Sequence, residues 1–507
     1  MDNSKMNYVN YSAPGLKQPT AAPAPAARPE APLTWRDAAG PAAAVLLAIL
    51  YWRTFALEYM GTDGPGLGVL AFTAAHFAAV WLMLGRRLDR RGLPLAGAAL
   101  ALALSCALSA HMGLTILNCF LILALAAMAT FALSGQSRFG PFTLRAIPEA
   151  VRLSVLALFT RIDRPFRAAG RAGNNHRSAL GRTLLALAAT LLILAVVLAL
   201  LASADMVFGS YFRGISRWLK ELEPGEVLWR VIRAAALALF IASGLCFLRE
   251  PAPEVRSGAR AAPSRPALPF LMPVLALDLV YIIFCAVQIR YLFGGGTAAA
   301  MAGGWAEYAR TGFFQLVAVA AINLILCVLS AKPDRLAARG GPLLRIGGGG
   351  MLVLTGVILA SAGYRMHLYI AVYGMSVLRL MTLWGMAVIL AGLLLAAWKL
   401  WKPDFAFYPA FFGVALAAWC LFSLAGPAGR AADYNVDAYL SGRLEEMDVR
   451  YLQDLGADAV PALERLAASD APEAHVARES LDSMRRSHAR EADGLPWTQW
   501  KVSYRHY

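Results

Sequence analysis

The chain has 507 residues, 59% of them apolar and only 16% charged, with a formal net charge of +15. Soluble domains carry roughly 25% charged residues, so an ordinary soluble protein is excluded and an integral membrane protein is indicated. The positive charges fall in short segments between apolar runs, the pattern of membrane topology rather than of nucleic-acid binding.

Residues 1–36 read as a disordered, Ala/Pro-rich leader (PTAAPAPAARPEAP). It has no apolar core of the kind a signal peptide needs, so the first span must act as an uncleaved insertion signal. A helix needs about 20 apolar residues to cross the hydrocarbon. Such runs occur at about 39–58, 66–85, 94–112, 114–134, 183–203, 227–248, 268–290, 311–331, 349–364, 373–398 and 404–426, which gives eleven spans. The pair 94–112 and 114–134 can be read as two spans or as one broken unit hinged near Met112–Gly113. The expectation is an all-α, polytopic transmembrane bundle.

The domains expected are N-terminal membrane spans at 37–134, a basic cytoplasmic loop with an amphipathic helix at 135–182, a membrane core at 183–426 and a small helical extension at 427–507. Lys and Arg fix the orientation. The turn at Arg86–Arg91, the 135–182 loop, Arg249–Arg265, Lys332–Arg345 and Lys399–Lys402 all fall on one side, and the intervening turns carry almost none. This places the N-terminus in the cytoplasm and the C-terminus outside.

Two segments outside the spans are amphipathic. Residues 147–160 put Ile147, Val151, Val155, Leu158 and Phe159 on one side, and residues 207–222 separate Phe208, Tyr211, Phe212, Ile215, Trp218, Leu219 and Leu222 from Arg213, Arg217 and Lys220. Each can lie in the interface plane or pack on the protein's own spans. Beyond Gly426 the chain turns polar and helix-prone, with an apolar side at Met447, Tyr451, Leu452 and Leu455. This extension is small for a core of its own and is expected to dock on the membrane domain or fold as a cap. Asp433, Asp437, Asp448, Asp454 and Asp458 do not have the spacing of a calcium loop. The tail GLPWTQWKVSYRHY carries Trp497 and Trp500, which suit a membrane interface.

Polar residues inside apolar helices are costly and mark the candidate site. Asp278, Tyr281, Cys285 and Gln288 are spaced by 3, 4 and 3 and share one helical face. Asp278 can be a proton- or cation-coupling carboxylate or a helix-locking one. Arg365, Tyr369, Tyr373, Ser376 and Arg379 form a second stripe, able to bind an anionic group or to neutralise Asp278 and Glu307. Between them, Trp305, Glu307, Tyr308 and Arg310 open a span in which Gln315 and Asn323 lie two turns apart on one side. The Gly-rich stretch 293–304 reads as a flexible loop, a lid or a re-entrant turn, and the glycines of 346–350 as a close-packing face at a helix start.

The six cysteines lie inside apolar runs without metal-ligand spacing, and the seven histidines are scattered. No phosphate loop, dinucleotide fingerprint, nucleophile elbow or zinc-protease motif occurs, so neither cofactor nor metal is expected.

The stretches YIIFCAVQIRYLFGG (281–295), WAEYARTGFFQLVAVAAINL (305–324), RMHLYIAVYGMSVLR (365–379) and DYNVDAYLSGRLEEMDVRYLQDLGADAVPAL (433–463) resemble bacterial membrane proteins of the domain-of-unknown-function families 4173 and 4153. The resemblance covers roughly residues 230–465 and agrees in motif order as well as wording. It implies a bacterial cytoplasmic-membrane protein and implies no activity. Three functions follow. The first is a structural or signalling-accessory protein of the cell envelope, with the bilayer and another membrane or envelope protein as partners. The second is a transporter with Asp278, Arg379 and the tyrosines along its path, although no inverted repeat is visible. The third is a membrane enzyme on a lipid-linked substrate, using Asp278 or Glu307 as acid or base.

Overall fold

The computed structural model describes residues 35–55, 64–164, 224–249, 268–292, 313–492 and 496–507. These are helical throughout, with no strand among the described residues. In chain order the α-helices are α1 (Trp35–Phe55), α2 (Leu67–Leu84), α3 (Leu93–Leu108), α4 (Met112–Leu133), α5 (Ala146–Thr160), α6 (Pro224–Phe247), α7 (Leu268–Leu292) and α8 (Phe313–Ser330). They continue with α9 (Pro333–Leu336), α10 (Gly341–Tyr373), α11 (Val377–Trp401), α12 (Phe407–Leu424), α13 (Pro427–Leu440), α14 (Val449–Asp454), α15 (Val460–Ala467) and α16 (Ala474–Ala492).

Among the described residues nine helices are long and apolar enough to cross a membrane, and a shorter apolar stretch, Ala39–Phe55, lies in α1. Phe120, Leu123, Leu378 and Leu421 stand exposed on the outside of these helices. In water that surface would be unfavourable; against lipid chains it is the expected face. The protein is a multi-pass integral membrane protein. Ten of the eleven apolar runs correspond to helices here; the eleventh, 183–203, and the amphipathic segment 207–222 lie outside the described residues.

The structure resolves the ambiguity at residues 94–134. Helices α3 and α4 are separate and pack side by side, joined by the turn Ser109–His111. The imidazole Nδ1 of His111 accepts from the Leu114 N–H at 3.2 Å and caps α4.

Two cores run through the bundle. One joins α1–α6, α12 and the helices after Gly426, and the other joins mainly α7, α8, α10 and α11. Small residues carry much of the first contact: Ala96, Ala99 and Ala103 of α3 are buried, which lets neighbouring backbones approach.

The ends that carry the Lys and Arg clusters are folded back by those same charges. Arg335 donates to the Leu329 carbonyl at the end of α8 and stacks on Phe270 at 3.5 Å. Lys399 donates to the carbonyls of Pro403 at 3.0 Å and Phe405 at 2.9 Å, closing the α11–α12 turn. A cation at a helix C-terminus satisfies carbonyls that have no partner within the helix.

Candidate functional site

The first polar stripe faces inward from α7. Cys285 is buried and Tyr281 half-buried, whereas Leu279, Val280, Ile282 and Ile283 are exposed. Asp278 lies about 15 Å in from the Leu268 end of the helix. It packs on the glycine face of α10, where a Cβ at Gly350 would stand 3.5 Å from its Oδ2 and one at Gly347 3.6 Å from it. Its Oδ1 is buried and has no hydrogen-bond partner among the described residues. The glycines make room for the carboxylate without pairing it. Gln288 belongs to α7 but lies beyond Val287, its last described side chain.

One turn further along α7, the Tyr281 hydroxyl donates to Asn323 Oδ1 at 2.8 Å. Asn323 Nδ2 donates to Thr355 Oγ1 at 3.0 Å, and Thr355 donates to the Met351 carbonyl at 2.6 Å. This chain ties α7, α8 and α10 together, with Asn323 and Thr355 fully buried. Gln315, expected on the same side as Asn323, is exposed instead. An offset of eight positions leaves the two side chains about 80° apart around an α-helix.

A second knot of the same kind sits in the other core. Asn118 of α4 donates to Ser105 of α3 at 3.0 Å and accepts from Trp419 Nε1 of α12 at 2.9 Å and from Ser423 at 3.4 Å. His76 of α2 meets Thr130 of α4 at 2.9 Å. None of these residues stood out in the sequence, because a single amide or histidine in an apolar run has no pattern around it.

The second stripe is not one helical face. Helix α10 ends at Tyr373, Gly374 takes φ +73°, and Ser376 caps α11 by accepting from the Arg379 N–H at 3.2 Å. Arg379 therefore belongs to the first turn of α11. Its guanidinium donates to the carbonyls of Tyr373, at 2.9 Å, and Gly374, and it covers the Tyr369 ring at 4.4 Å. No described carboxylate forms an ion pair with Arg379. Arg365 is buried in α10, two turns before its end. Gly350 and Gly374 are separated by about 36 Å of helix axis. Asp278 thus packs about two turns into α10, Arg379 lies beyond its far end, and the two do not meet. Glu307, Tyr308 and Arg310 lie outside the described residues.

Around Arg379 the site becomes a seam with the polar C-terminal helices. Asn435 of α13 accepts from the Met375 N–H at 2.5 Å and donates to the Met375 carbonyl at 2.9 Å. The Tyr451 hydroxyl accepts from the Val377 N–H at 2.9 Å, and burial raises its pKa above the usual phenol range. Asp458 accepts from the Ser109 hydroxyl and from the Ala110 N–H, the latter at 3.1 Å. Desolvation lowers the pKa of the neighbouring His111, while Asp458 opposes that shift.

The tail completes the seam. Thr498 donates to the Arg53 carbonyl at 2.9 Å, and the carbonyls of Thr498 and Trp500 accept from the Gly66 and Leu67 N–H groups at 3.2 and 2.9 Å. These last two bonds cap the start of α2. The approach needs glycine: a Cβ at Gly66 would come within 2.6 Å of the Gln499 carbonyl, and one at Gly68 within 2.7 Å of Thr498 Cβ.

Three acidic residues of the extension have internal uses. Asp433 and Asp437 both take the Arg465 guanidinium, at 2.6 and 2.7 Å, and Asp448 caps α14. Among the described residues no group of three His, Cys, Asp or Glu side chains could hold a metal ion.

The model of one family, Domain of unknown function (DUF4153), matches residues 96–466. The chain belongs to this family. The DUF4153 match runs from α3 into α15 and so takes in both polar knots, Asp278, the α10–α11 break and most of the seam. It reaches further toward the N-terminus than the motifs do, and of the two families those motifs resemble it is the one matched. Comparisons with curated proteins and with solved structures gave no match.

Proposed function

We propose that this DUF4153 member is an accessory protein of the bacterial envelope: a helical membrane platform that holds residues 427–507 rigidly against one side of the bilayer for a membrane or envelope protein to dock on. The observation that carries this reading is the seam. Five separate points tie the extension to the ends of α1, α2, α4, α10 and α11. A module held that firmly is pre-organised, which lowers the entropic cost of partner binding. In the proposed orientation the arginine-bearing ends face the cytoplasm and the extension faces outward.

The polar groups of the bundle support the same reading. Tyr281, Asn323, Thr355 and Asn118 spend their hydrogen bonds on neighbouring helices, and Arg379 spends its own on helix ends. A transport path built on Asp278 and Arg379 would need them on one cavity, and α10 separates them. The unpartnered Oδ1 of Asp278 is the observation that favours transport.

Native mass spectrometry of the protein extracted with its surrounding lipid, with Asp278→Asn alongside, separates the two. The accessory reading expects a stoichiometric protein partner retained by both forms. A small molecule retained by the parent and lost from Asp278→Asn would overturn it in favour of transport.

A further inference from the structure

Helix α5 is turned inside out relative to a helix in water. Its buried face is Ala146, Glu149, Ala150, Leu153 and Ala157, and its exposed residues include Ile147, Val151, Val155 and Phe159. Val151 is 61% and Phe159 60% exposed, while the Glu149 carboxylate is 6% exposed and points inward. Glu149 there accepts from the Ser137 hydroxyl at 3.3 Å and from the Arg138 N–H at 3.1 Å. An apolar face on the outside is stable only where the solvent is lipid.

The depth of α5 is set by its neighbours. Ser243 of α6 donates to the Ala157 carbonyl at 2.8 Å and accepts from the Arg161 N–H at 3.3 Å. Gln136 donates to the Phe247 carbonyl, the last residue of α6, at 2.7 Å. Ser243 lies about 6 Å along the axis from that end, and Phe240, whose ring meets that of Phe159 at 5.6 Å, about 10 Å, so α5 runs from the end of a span inward over its last two turns. Its 15 residues reach about 22 Å, too short to cross. Acyl chains give way to headgroups at the start of α5.

Arginines stand at the same level. Arg138 and Arg145 are exposed and form no ion pair with a described carboxylate; Arg145 lies over the Phe139 ring at 5.8 Å. Arg152 keeps only a 3.7 Å contact to Glu149, with its own side chain half exposed. We propose that α5 and the loop before it form a docking surface for the anionic phospholipids of the adjoining leaflet. Ile147, Val151, Val155 and Phe159 take the acyl chains, and Arg138 and Arg145 take the phosphates. Two guanidiniums without a carboxylate partner among the described residues, beside an apolar face that runs inward from headgroup depth, complement an anionic lipid in charge and in polarity.

The test uses the full chain in nanodiscs of mixed phosphatidylglycerol and phosphatidylcholine, with p-benzoylphenylalanine in place of Phe159. After photolysis, intact mass spectrometry reads the adduct. The expected result is a phospholipid adduct enriched in phosphatidylglycerol over the bulk ratio. Arg138→Gln and Arg145→Gln should each reduce that enrichment by about five-fold while the total lipid adduct and the melting temperature hold. Added inorganic phosphate should leave the ratio unchanged, because the surface takes the lipid and not the free ion. A cross-link to the protein itself in place of lipid would overturn the proposal, because the chain would then cover this face. A lipid ratio equal to bulk, a ratio indifferent to both Gln variants, or loss of enrichment on adding phosphate would each overturn the proposal.

Discussion

Asn435→Ala isolates the seam from the rest of the fold. The side chain is buried at 6% exposure and makes two hydrogen bonds to the backbone of Met375, in the break between α10 and α11. Truncation leaves a backbone N–H and a carbonyl without partners in a part-buried contact, at about 1–2 kcal/mol each, so docking of the extension should weaken by about 2–4 kcal/mol. That corresponds to opening about 30 to 800 times more often. Amide hydrogen exchange of α13 reads this opening directly. Asn435→Asp keeps the acceptor and loses the donor, so its effect should be intermediate. The exposed Asp454→Ala serves as a control with no expected change. Exchange in Asn435→Ala within three-fold of the parent would refute the reasoning.

Three further outcomes are expected. Gly347→Val should destabilise by about 1–3 kcal/mol, because its Cβ alone would already lie 3.1 Å from Val274 and 3.2 Å from Leu275, whereas Gly349→Val, facing open space, should be neutral in the same melting experiment. Asn323→Leu and Tyr281→Phe should be coupled by about 0.5–1.5 kcal/mol in a double-mutant cycle, since one removes what the other bonds; strict additivity would show that the hydrogen bond contributes nothing. Neutral His111 caps α4 and its pKa is lowered by burial and by Lys501 against the opposing pull of Asp458. Its contribution is therefore complete above the unfolded value near 6.5 and is lost as pH falls below it. His111→Asn, which keeps a cap without a titrating group, should flatten that acid limb of the stability curve.

The spans were legible because about 20 consecutive apolar residues have few other uses. The Asp278–Tyr281–Cys285 face was legible because a 3–4 spacing survives in any helix. The second stripe misled because YGMS contains no proline. Only the positive φ of Gly374 and the cap at Ser376 reveal that two helices share it. The close-packing face of the glycines near the start of α10 was legible too, but not that the helix begins earlier, at Gly341. RIGGGG is a poor helix former, yet Gly347 and Gly350 are helical because they admit α7 and Asp278. Helix α5 showed its apolar side in the sequence, but not that this side faces outward. The pairings of Asn118 with Trp419 and of Gly66 with Thr498 join residues hundreds of positions apart, and no local pattern encodes them.

The proposed function requires the extension to lie across the membrane from the arginine-bearing turns. Single cysteines at Asp454→Cys and Arg90→Cys, both exposed, can be labelled in intact spheroplasts with a membrane-impermeant maleimide. The native cysteines all lie within the apolar spans. The account predicts that position 454 labels at once and position 90 only after permeabilisation. Labelling of both positions from the same side would contradict it.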